Sequence, residues 1–200
     1  MARAQKKIKE KVEVSTLSKV LTGVVALITV AILVLIIVIV VKLVQDNEEN
    51  TNPFENYAII NSSDLNIVVE HGLNGYGNFS GIQNEKARNL LQTESKDIFI
   101  LFFSSNMTNY GDSGESLHKE IVDLATQVDP GANGNVIFLL FDYNSDPTVF
   151  SSLLKPILEG TINIDATAKV PAYLRVKQNS EGFSFSYNPD TVKKQLTSIR

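Results

Sequence analysis

The chain contains no cysteine and no tryptophan among its 200 residues, and it has only two histidines. Without cysteine it forms no disulfide bond, carries no thiolate for redox exchange and offers no thiol for lipid attachment. Any folded domain must therefore be stabilised by its hydrophobic core, and about 140 residues outside the N-terminal segment are enough to form one. Neither His71 nor His118 has a second His or Cys at metal-ligand spacing. We therefore predict no zinc site and no cofactor.

From Val20 to Val41 the sequence is apolar almost throughout and has no charged residue. A helix of these 22 residues spans about 33 Å, which matches a hydrocarbon core of about 30 Å. A buried helix of a soluble protein would show a polar stripe, and this segment has none. The run is too long for the apolar part of a cleaved signal peptide, and no small-x-small cleavage site follows it. The pattern predicts an uncleaved, membrane-spanning signal anchor.

Charge predicts the orientation of this span. Residues 1–44 carry 7 Lys/Arg and 2 Asp/Glu, a net charge of +5, whereas residues 45–200 carry 11 Lys/Arg and 20 Asp/Glu, a net charge of −9. Basic residues are retained on the cytoplasmic side, so we expect the N-terminus inside and the C-terminal domain outside. The basic residues either contact anionic lipid headgroups as well or only set the topology. The lipid bilayer is thus one predicted partner, and the acidic domain argues against nucleic acid.

The predicted organisation has four parts. A basic cytoplasmic tail covers residues 1–19, and the transmembrane signal-anchor helix covers residues 20–44. An acidic, amide-rich linker interrupted by Pro53 covers residues 45–58, and an extracytoplasmic domain covers residues 59–200. The composition of the linker is typical of a solvated tether.

The domain alternates strand and helix signals. Continuous apolar runs at Asp97–Ser104 and Asn135–Tyr143 are typical of strands that are covered on both faces. A first strand is predicted at Asn66–Val69, an earlier one at Tyr57–Ile60 stays open, and His71–Gln83 predicts a loop because it contains four glycines.

Capping residues and hydrophobic periodicity predict the other elements. Asp146 and Asn188 are each followed by proline, the pattern of a cap and a first helical residue. Asp112 and Glu115 resemble a capping box at the start of the central helix, and Pro156 predicts a kink. The predicted helices are 84–93, 112–128, 146–158 and 189–199, and the last two strands are 170–176 and 183–187.

This α/β order, βαβαβαββα with a mixed sheet, resembles the thioredoxin fold. Phe102-Phe103-Ser104 looks like the end of the central strand before the family's Cys-x-x-Cys site, and Asp142 resembles the aspartate that closes the next strand. Val170-Pro171 looks like the family's cis-proline dipeptide. The resemblance covers about two thirds of the chain, but the diagnostic cysteines are missing. It implies a thioredoxin-like domain that has lost redox activity.

In that family, the loop before the central helix and the residue before the cis-proline form a groove in which an extended peptide pairs with the backbone. The resemblance implies the same groove here, with Tyr110 as an aromatic anchor. One wall would consist of Ser105, Asn106, Met107, Asn109 and Tyr110, and the other of Val170 and Pro171. This implies a non-catalytic, membrane-anchored domain that binds a peptide or protein partner, as an accessory subunit of an envelope, secretion or transport assembly. The other interpretation is that the groove is unused and the domain is a spacer.

Two further functions stay open. Ser105 and His118 lie near the same predicted junction and would form the nucleophile and base of a hydrolase that needs no thiol. A groove without a dedicated partner would instead suit a chaperone-like holder of exported chains.

Other polar motifs have simpler interpretations. Asp142 and Asp146 flank one predicted loop, where they would contact a hard cation or, as we favour, end a strand and cap a helix. The sequons at Asn61, Asn78 and Asn106 are acceptors for N-glycosylation in a host that has the machinery. Chance is a sufficient explanation for three sequons in a chain so rich in asparagine.

Overall fold

The computed structural model describes residues 16–50, 52–75, 78–93, 96–134, 136–177 and 182–200. The chain divides into two units between Asn52 and Pro53. In the first unit, helix α1 spans Thr16–Asn50, and its section Leu21–Val40 is long and apolar enough to cross a membrane, with none of it buried. The predicted span therefore coincides with a helix of suitable length and composition. The predicted basic tail lies outside the described residues up to residue 15.

The second unit begins earlier in the chain, at Pro53, than the predicted start of the domain at residue 59, which would follow a linker over residues 45–58. Helix α1 covers the first part of that range, and Phe54 and Tyr57 near its end belong to the hydrophobic core. The ring of Phe54 packs edge-on against Phe103, with the ring centroids 4.8 Å apart. The hydroxyl of Tyr57 donates to the carbonyl oxygen of Val128 at 2.7 Å. The segment before the first strand is thus part of the folded domain.

The domain contains six strands and five helices among the described residues. The strands are β1 (Ile59–Ile60), β2 (Asp97–Phe103), β3 (Ala132–Asn133), β4 (Val136–Asp142), β5 (Ala172–Val176) and β6 (Phe183–Ser186). The helices are α2 (Ser62–Asn74), α3 (Glu85–Thr93), α4 (Gly114–Ala125), α5 (Lys155–Leu158) and α6 (Pro189–Ser198). Two 3₁₀ turns, Phe79–Gly81 and Met107–Ser113, precede α3 and α4, and a π turn, Phe150–Leu154, precedes α5.

The strands form one mixed sheet in the order β1-β4-β2-β5-β6, with β3 paired to β4 beside this path. Strands β1, β4 and β2 are parallel to one another, whereas β5 and β6 are antiparallel to their neighbours. Helices separate the parallel strands along the chain, and a hairpin followed by α6 completes the order. The fold is thioredoxin-like, as the sequence predicts.

The centre of the sheet consists of β2 and β4. Both strands are apolar along almost their whole length, and the side chains from Ile98 to Phe103 and from Val136 to Phe141 are all buried. A strand that is covered by helices on both faces needs no polar alternation, which explains the continuous runs. Each fully buried large side chain in this layer contributes about 1.5–3 kcal/mol.

The prediction of a strand at Asn66–Val69 is wrong, because these residues lie in α2. Asn61 caps this helix, and its side-chain oxygen accepts a hydrogen bond from the backbone N–H of Asp64 at 2.8 Å. Leu65, Val68 and Val69 then form the buried stripe of a helix at spacings of three and four residues. An apolar run this short does not distinguish a strand from a buried helix. The first strand is the open alternative, at Ile59–Ile60.

The end of α2 also corrects the loop predicted at His71–Gln83. The helix continues through Asn74 and ends at Gly75, which has a φ of 67° and donates its N–H to the carbonyl of His71 at 2.8 Å. Glycine is favoured at this left-handed position because it has no Cβ. The rest of the predicted loop contains the short 3₁₀ turn Phe79–Gly81.

Of the two predicted caps that proline follows, the one at Asn188 is confirmed. Asn188 accepts the N–H groups of Asp190 and Thr191 at 3.0 and 3.1 Å. The one at Asp146 is wrong, because the helical segment after it begins only at Phe150, with Val149 at its cap position and no side-chain cap bond. The carboxylate of Asp146 instead holds the local turn before that segment, where it accepts the N–H of Thr148 at 3.0 Å. The irregularity expected from Pro156 takes the form of the π turn immediately before it, since proline supplies no N–H to continue regular bonding.

We expect Gly72→Ala to destabilise the domain by about 1–3 kcal/mol, although alanine normally stabilises a helix. A Cβ at this position would collide with the Val176 side chain and lie 2.7 Å from Cζ of Phe183. Gly131→Ala is the matched control, because the nearest heavy atom there is 3.7 Å away. The measurement is the free energy of unfolding, and equal effects of the two substitutions would contradict the close packing of α2 on the sheet.

Candidate functional site

The sheet register brings both predicted walls of the groove to one edge of the sheet. Strand β2 ends at Phe103, so Ser104 and Ser105 follow at this edge. The antiparallel pairing of β2 with β5 ends at Phe102 and Ala172, so Val170 and Pro171, just before β5, lie at the same edge. The peptide bond between Val170 and Pro171 is cis.

The turn after β2 starts a helical segment earlier than predicted. The side-chain oxygen of Asn106 accepts the N–H of Thr108 at 3.0 Å and its hydroxyl at 2.8 Å, and the 3₁₀ turn begins at Met107. Gly111 has a φ of 75°, which breaks the turn away from α4. Asn106 therefore caps the 3₁₀ turn, and Asp112, the predicted start of the central helix, lies inside that turn two residues before α4 begins at Gly114.

A network of polar side chains holds this turn in place. Ser104 is completely buried, and its Oγ accepts a hydrogen bond from Nδ2 of Asn109 at 2.8 Å. The side-chain amide of Asn144, in the turn after β4, reaches Ser104 Oγ at 2.9 Å with one polar atom and Ser105 Oγ at 2.6 Å with the other. The backbone N–H of Asn144 donates to Asp142 at 3.0 Å. The ends of β2 and β4 are thus joined through side chains.

Tyr110 belongs to the interior rather than to the surface. Only 6% of the residue is exposed, and its hydroxyl accepts the backbone N–H of Ser104 at 3.0 Å. Its ring packs edge-on against His118, with the centroids 5.3 Å apart. Burial raises the pKa of Tyr110 to about 12, against the lowering effect of the Ser104 N–H, and the charge of Asp142 raises it further. The expected aromatic anchor is therefore not available on the surface.

The other predicted groove residues divide by exposure. Ser105, Asn106 and Met107 are exposed, Met107 at 46%, and Asn109 is half-buried. Val170 and Pro171 are buried. The exposed apolar side chain of the turn is therefore Met107, one helical turn before Tyr110.

The structure does not bring Ser105 and His118 together as a nucleophile and base. The hydroxyl of Ser105 bonds to the amide of Asn144 and contacts Oδ2 of Asp142 at 3.4 Å. Burial lowers the pKa of His118, although a hydrogen bond with the Ser104 backbone opposes this shift. A general base must lie within hydrogen-bond reach of its nucleophile, so the geometry gives the hydrolase interpretation no support.

The two aspartates near this edge are satisfied by protein groups. Asp142 accepts the N–H of Asn144, and Asp146 accepts the N–H of Thr148 at 3.0 Å and the hydroxyl of Ser62 at 2.8 Å. Within the part of the chain that the structure describes, no group of three His, Asp or Glu residues is arranged to hold a metal ion. The interpretation of Asp142 as a strand end fits these contacts, whereas Asp146 stabilises a local turn and Val149 occupies the cap position.

Asn144 is the residue of this site that the sequence did not identify. It lies two positions after Asp142 in the polar turn Asp-Tyr-Asn-Ser. The sequence could have indicated Asn144, because β2 and β4 are predicted as parallel strands of one sheet. The polar residues that follow neighbouring parallel strands lie side by side. The same reasoning that places Ser104 at this edge would have included Asn144.

No family model matches the chain, and no curated protein matches it. Among solved structures, it is similar to a thioredoxin from Fasciola hepatica (12% identity, 57% of this chain and 90% of that one, TM-score 0.33). It is also similar to thioredoxin from Trypanosoma brucei brucei (15% identity, 57% and 83%, TM-score 0.31) and to mitochondrial thioredoxin 3 from Saccharomyces cerevisiae (18% identity, 56% and 87%, TM-score 0.30). Thiol–disulfide exchange remains excluded, because this chain has no cysteine.

We expect Ser104→Ala to lower the free energy of unfolding by about 0.5–1.5 kcal/mol, because it removes the buried hydroxyl that bonds to the side-chain amides of Asn109 and Asn144. Ser116→Ala, on the exposed surface of α4, is the control and should change stability by less than about 0.5 kcal/mol. Denaturant titration of both variants measures the difference. Equal stabilities would show that the network contributes nothing.

Alkaline pH provides a second test, through Tyr110. Its pKa in the fold is about 12 against an ordinary value of 10.0, so the fold favours the neutral phenol. The resulting stability is complete below pH 10 and is lost as the pH rises through about 12, by roughly 2–3 kcal/mol in all. Tyr110→Phe should be less stable at neutral pH, because Ser104 loses its acceptor, but should lose less stability between pH 10 and 12. The measurement is the free energy of unfolding as a function of pH. If it falls equally steeply above pH 10 in the wild type and in Tyr110→Phe, Tyr110 is not the group that titrates there.

Proposed function

We propose that this protein is a membrane-anchored, non-catalytic thioredoxin-like domain that binds a peptide or protein partner outside the cytoplasm, as an accessory subunit of an envelope, secretion or transport assembly. The observation that carries the proposal is the replacement of the redox turn by a rigid, thiol-free turn that exposes Met107 at the edge shared with Val170 and Pro171. Binding is the capability that such a turn retains.

The surface chemistry of the turn supports this proposal. Among the described residues of the second unit, three large apolar side chains are exposed: Leu73 at 38%, Met107 at 46% and Tyr187 at 43%. Met107 lies between the exposed polar residues Asn106 and Thr108. Methionine adapts its shape to a partner, and an apolar centre with a polar rim is the usual composition of a binding surface.

The backbone beside the turn is suited to an extended peptide. The pairing of β5 with β2 ends at Ala172, so Val170 lies just beyond the ladder. An extended segment that pairs with the backbone there would gain affinity from main-chain hydrogen bonds, as in strand addition. The hydrogen bonds among Ser104, Asn109 and Asn144 hold the opposite wall. A preformed wall lowers the entropy that binding must overcome.

The first unit supports a location at the membrane. Leu21–Val40 has the length and composition of a single span, and the basic residues before it favour an N-terminus in the cytoplasm. A domain held at the bilayer surface meets membrane-bound partners at a high local concentration. The net charge of residues 45–200, −9, favours a partner surface with basic groups.

Site-specific crosslinking in the native host tests the proposal. A photoreactive amino acid at position 107 of the full-length protein should give one discrete crosslinked product, and the same probe at position 73 should not. Leu73 is a matched control because it is similarly exposed and lies on α2, whose end packs against Val176 and Phe183.

Substitutions at the same two positions measure how much the surface around Met107 contributes to partner binding. Met107→Asp should weaken the interaction at least about tenfold, because a carboxylate must be desolvated at the contact, whereas Leu73→Asp should leave it unchanged. If the probe at position 107 gives many weak crosslinked products, the chaperone-like alternative is favoured. If Met107→Asp still binds the partner with wild-type affinity, the surface around Met107 is not the binding site.

A further inference from the structure

A second concave surface lies beside the hairpin formed by β5 and β6. It has a volume of about 950 Å³, and it shares Lys155, Asn163 and Ile164 with an adjoining hollow of about 360 Å³. One wall is the segment 163–167, and the other is the end of β6 with the start of α6. We call this surface the hairpin cleft. It has no residue in common with the groove around Met107, and its volume is within the range of small-molecule sites.

Hydrogen bonds around Asp165 connect the walls of the hairpin cleft. This carboxylate accepts the N–H and the hydroxyl of Thr167, both at 2.8 Å. Its second oxygen accepts the hydroxyl of Tyr187 at 2.8 Å, which joins the two walls. Below them Ile164 is buried at 2% exposure. The polar groups are therefore positioned before any ligand arrives.

An aromatic ring is exposed at this surface. Tyr187 is 43% exposed, and its hydroxyl is held by Asp165. The ring of Phe185 lies behind it, with the centroids 6.3 Å apart. A ring that is fixed at both its edge and its hydroxyl presents a preformed apolar surface with a polar tip.

The remaining lining determines the chemistry of the ligand. It contains one cation, Lys155, and one anion, Asp165, and the adjoining hollow adds the anion Glu159. The other polar groups are amides and hydroxyls: Asn163, Thr167, Ser186 and Asn188. A phosphate or nucleic acid would need a concentration of positive charge, which this lining lacks. A neutral ligand with many hydroxyl groups and an apolar face matches it.

We propose that the hairpin cleft binds a neutral oligosaccharide. The C–H face of one sugar ring would stack on Tyr187, and its hydroxyls would exchange hydrogen bonds with Asp165 and the neighbouring amides. The adjoining hollow continues the surface past Asn163, which suits a chain of several sugar units rather than a single one. The ligand class follows from the side chains of this cleft and does not depend on the function of the Met107 groove.

The test uses the full-length protein in lipid nanodiscs, because glucoside and maltoside detergents would compete for the site. The probes are the neutral tetrasaccharides of N-acetylglucosamine, β-1,4-glucose and α-1,4-glucose, measured by calorimetry and by saturation-transfer NMR. We expect at least one to bind with a Kd below about 1 mM. Tyr187→Ala should weaken that binding at least about tenfold, and Tyr187→Phe, which keeps the ring, should weaken it less than about threefold.

Leu73→Ala is the control, since it removes an exposed apolar side chain from α2 and should leave the Kd unchanged. The circular dichroism spectrum of each variant establishes that it is folded. The proposal is overturned if none of the tetrasaccharides binds the wild-type protein, or if Tyr187→Ala and Leu73→Ala bind equally well. Loss of partner binding in Met107→Asp with tetrasaccharide affinity intact would separate this site from the groove.

Discussion

The parallel pairing of β2 with β4 is the constraint on which the candidate site depends. Seven consecutive pairs run from Asp97 opposite Val136 to Phe103 opposite Asp142, and the apolar side chains that they bury stabilise the register. Since both strands are apolar on both faces, their register depends on the close packing of individual side chains and not on a polar–apolar alternation. Because both strands end at the same height, the residues that follow them, Ser104 and Asn144, come within hydrogen-bond distance.

The turn after β2 contains no thiol and is held by hydrogen bonds. Ser104, Asn109 and Asn144 satisfy one another, and the hydroxyl of Tyr110 satisfies the backbone N–H of Ser104. The reactive positions of a thiol exchanger must be accessible and electrostatically poised. Here Ser104 is buried, whereas Ser105, Met107 and Asn144 are exposed. Without cysteine, this turn cannot carry out thiol–disulfide exchange.

The order of most strands and helices could be predicted from the sequence because several independent patterns indicate the same arrangement. The apolar runs of β2 and β4, the proline after Asn188 and the dipeptide Val170-Pro171 each predict one local structure, and these structures agree with one another. Helix α2 was missed because Asn66–Val69 contains too few apolar residues for a helical period to differ from a strand. Its cap, Asn61, lies outside that window.

The candidate site was harder to predict for a different reason. A residue's type does not tell which way its side chain points, and Tyr110 is as suitable for a surface as for the interior. Its hydroxyl accepts the N–H of Ser104, the residue that follows β2. Asn144 and Asp165 also make contacts across the fold, to Ser104 and Tyr187. Such contacts leave no periodic signal along the chain.

Tyr57 has a mechanical consequence. Tension applied along the chain from α1 enters the folded domain at Pro53, and the first side chains to resist it are Phe54 and Tyr57. The hydroxyl of Tyr57 is tied to the carbonyl oxygens of Thr126 and Val128 at 3.0 and 2.7 Å, and Phe54 is wedged against the central strand. A force applied to the chain at Pro53 would therefore be shared between the region after α4 and the end of β2 before it reached the short strand β1.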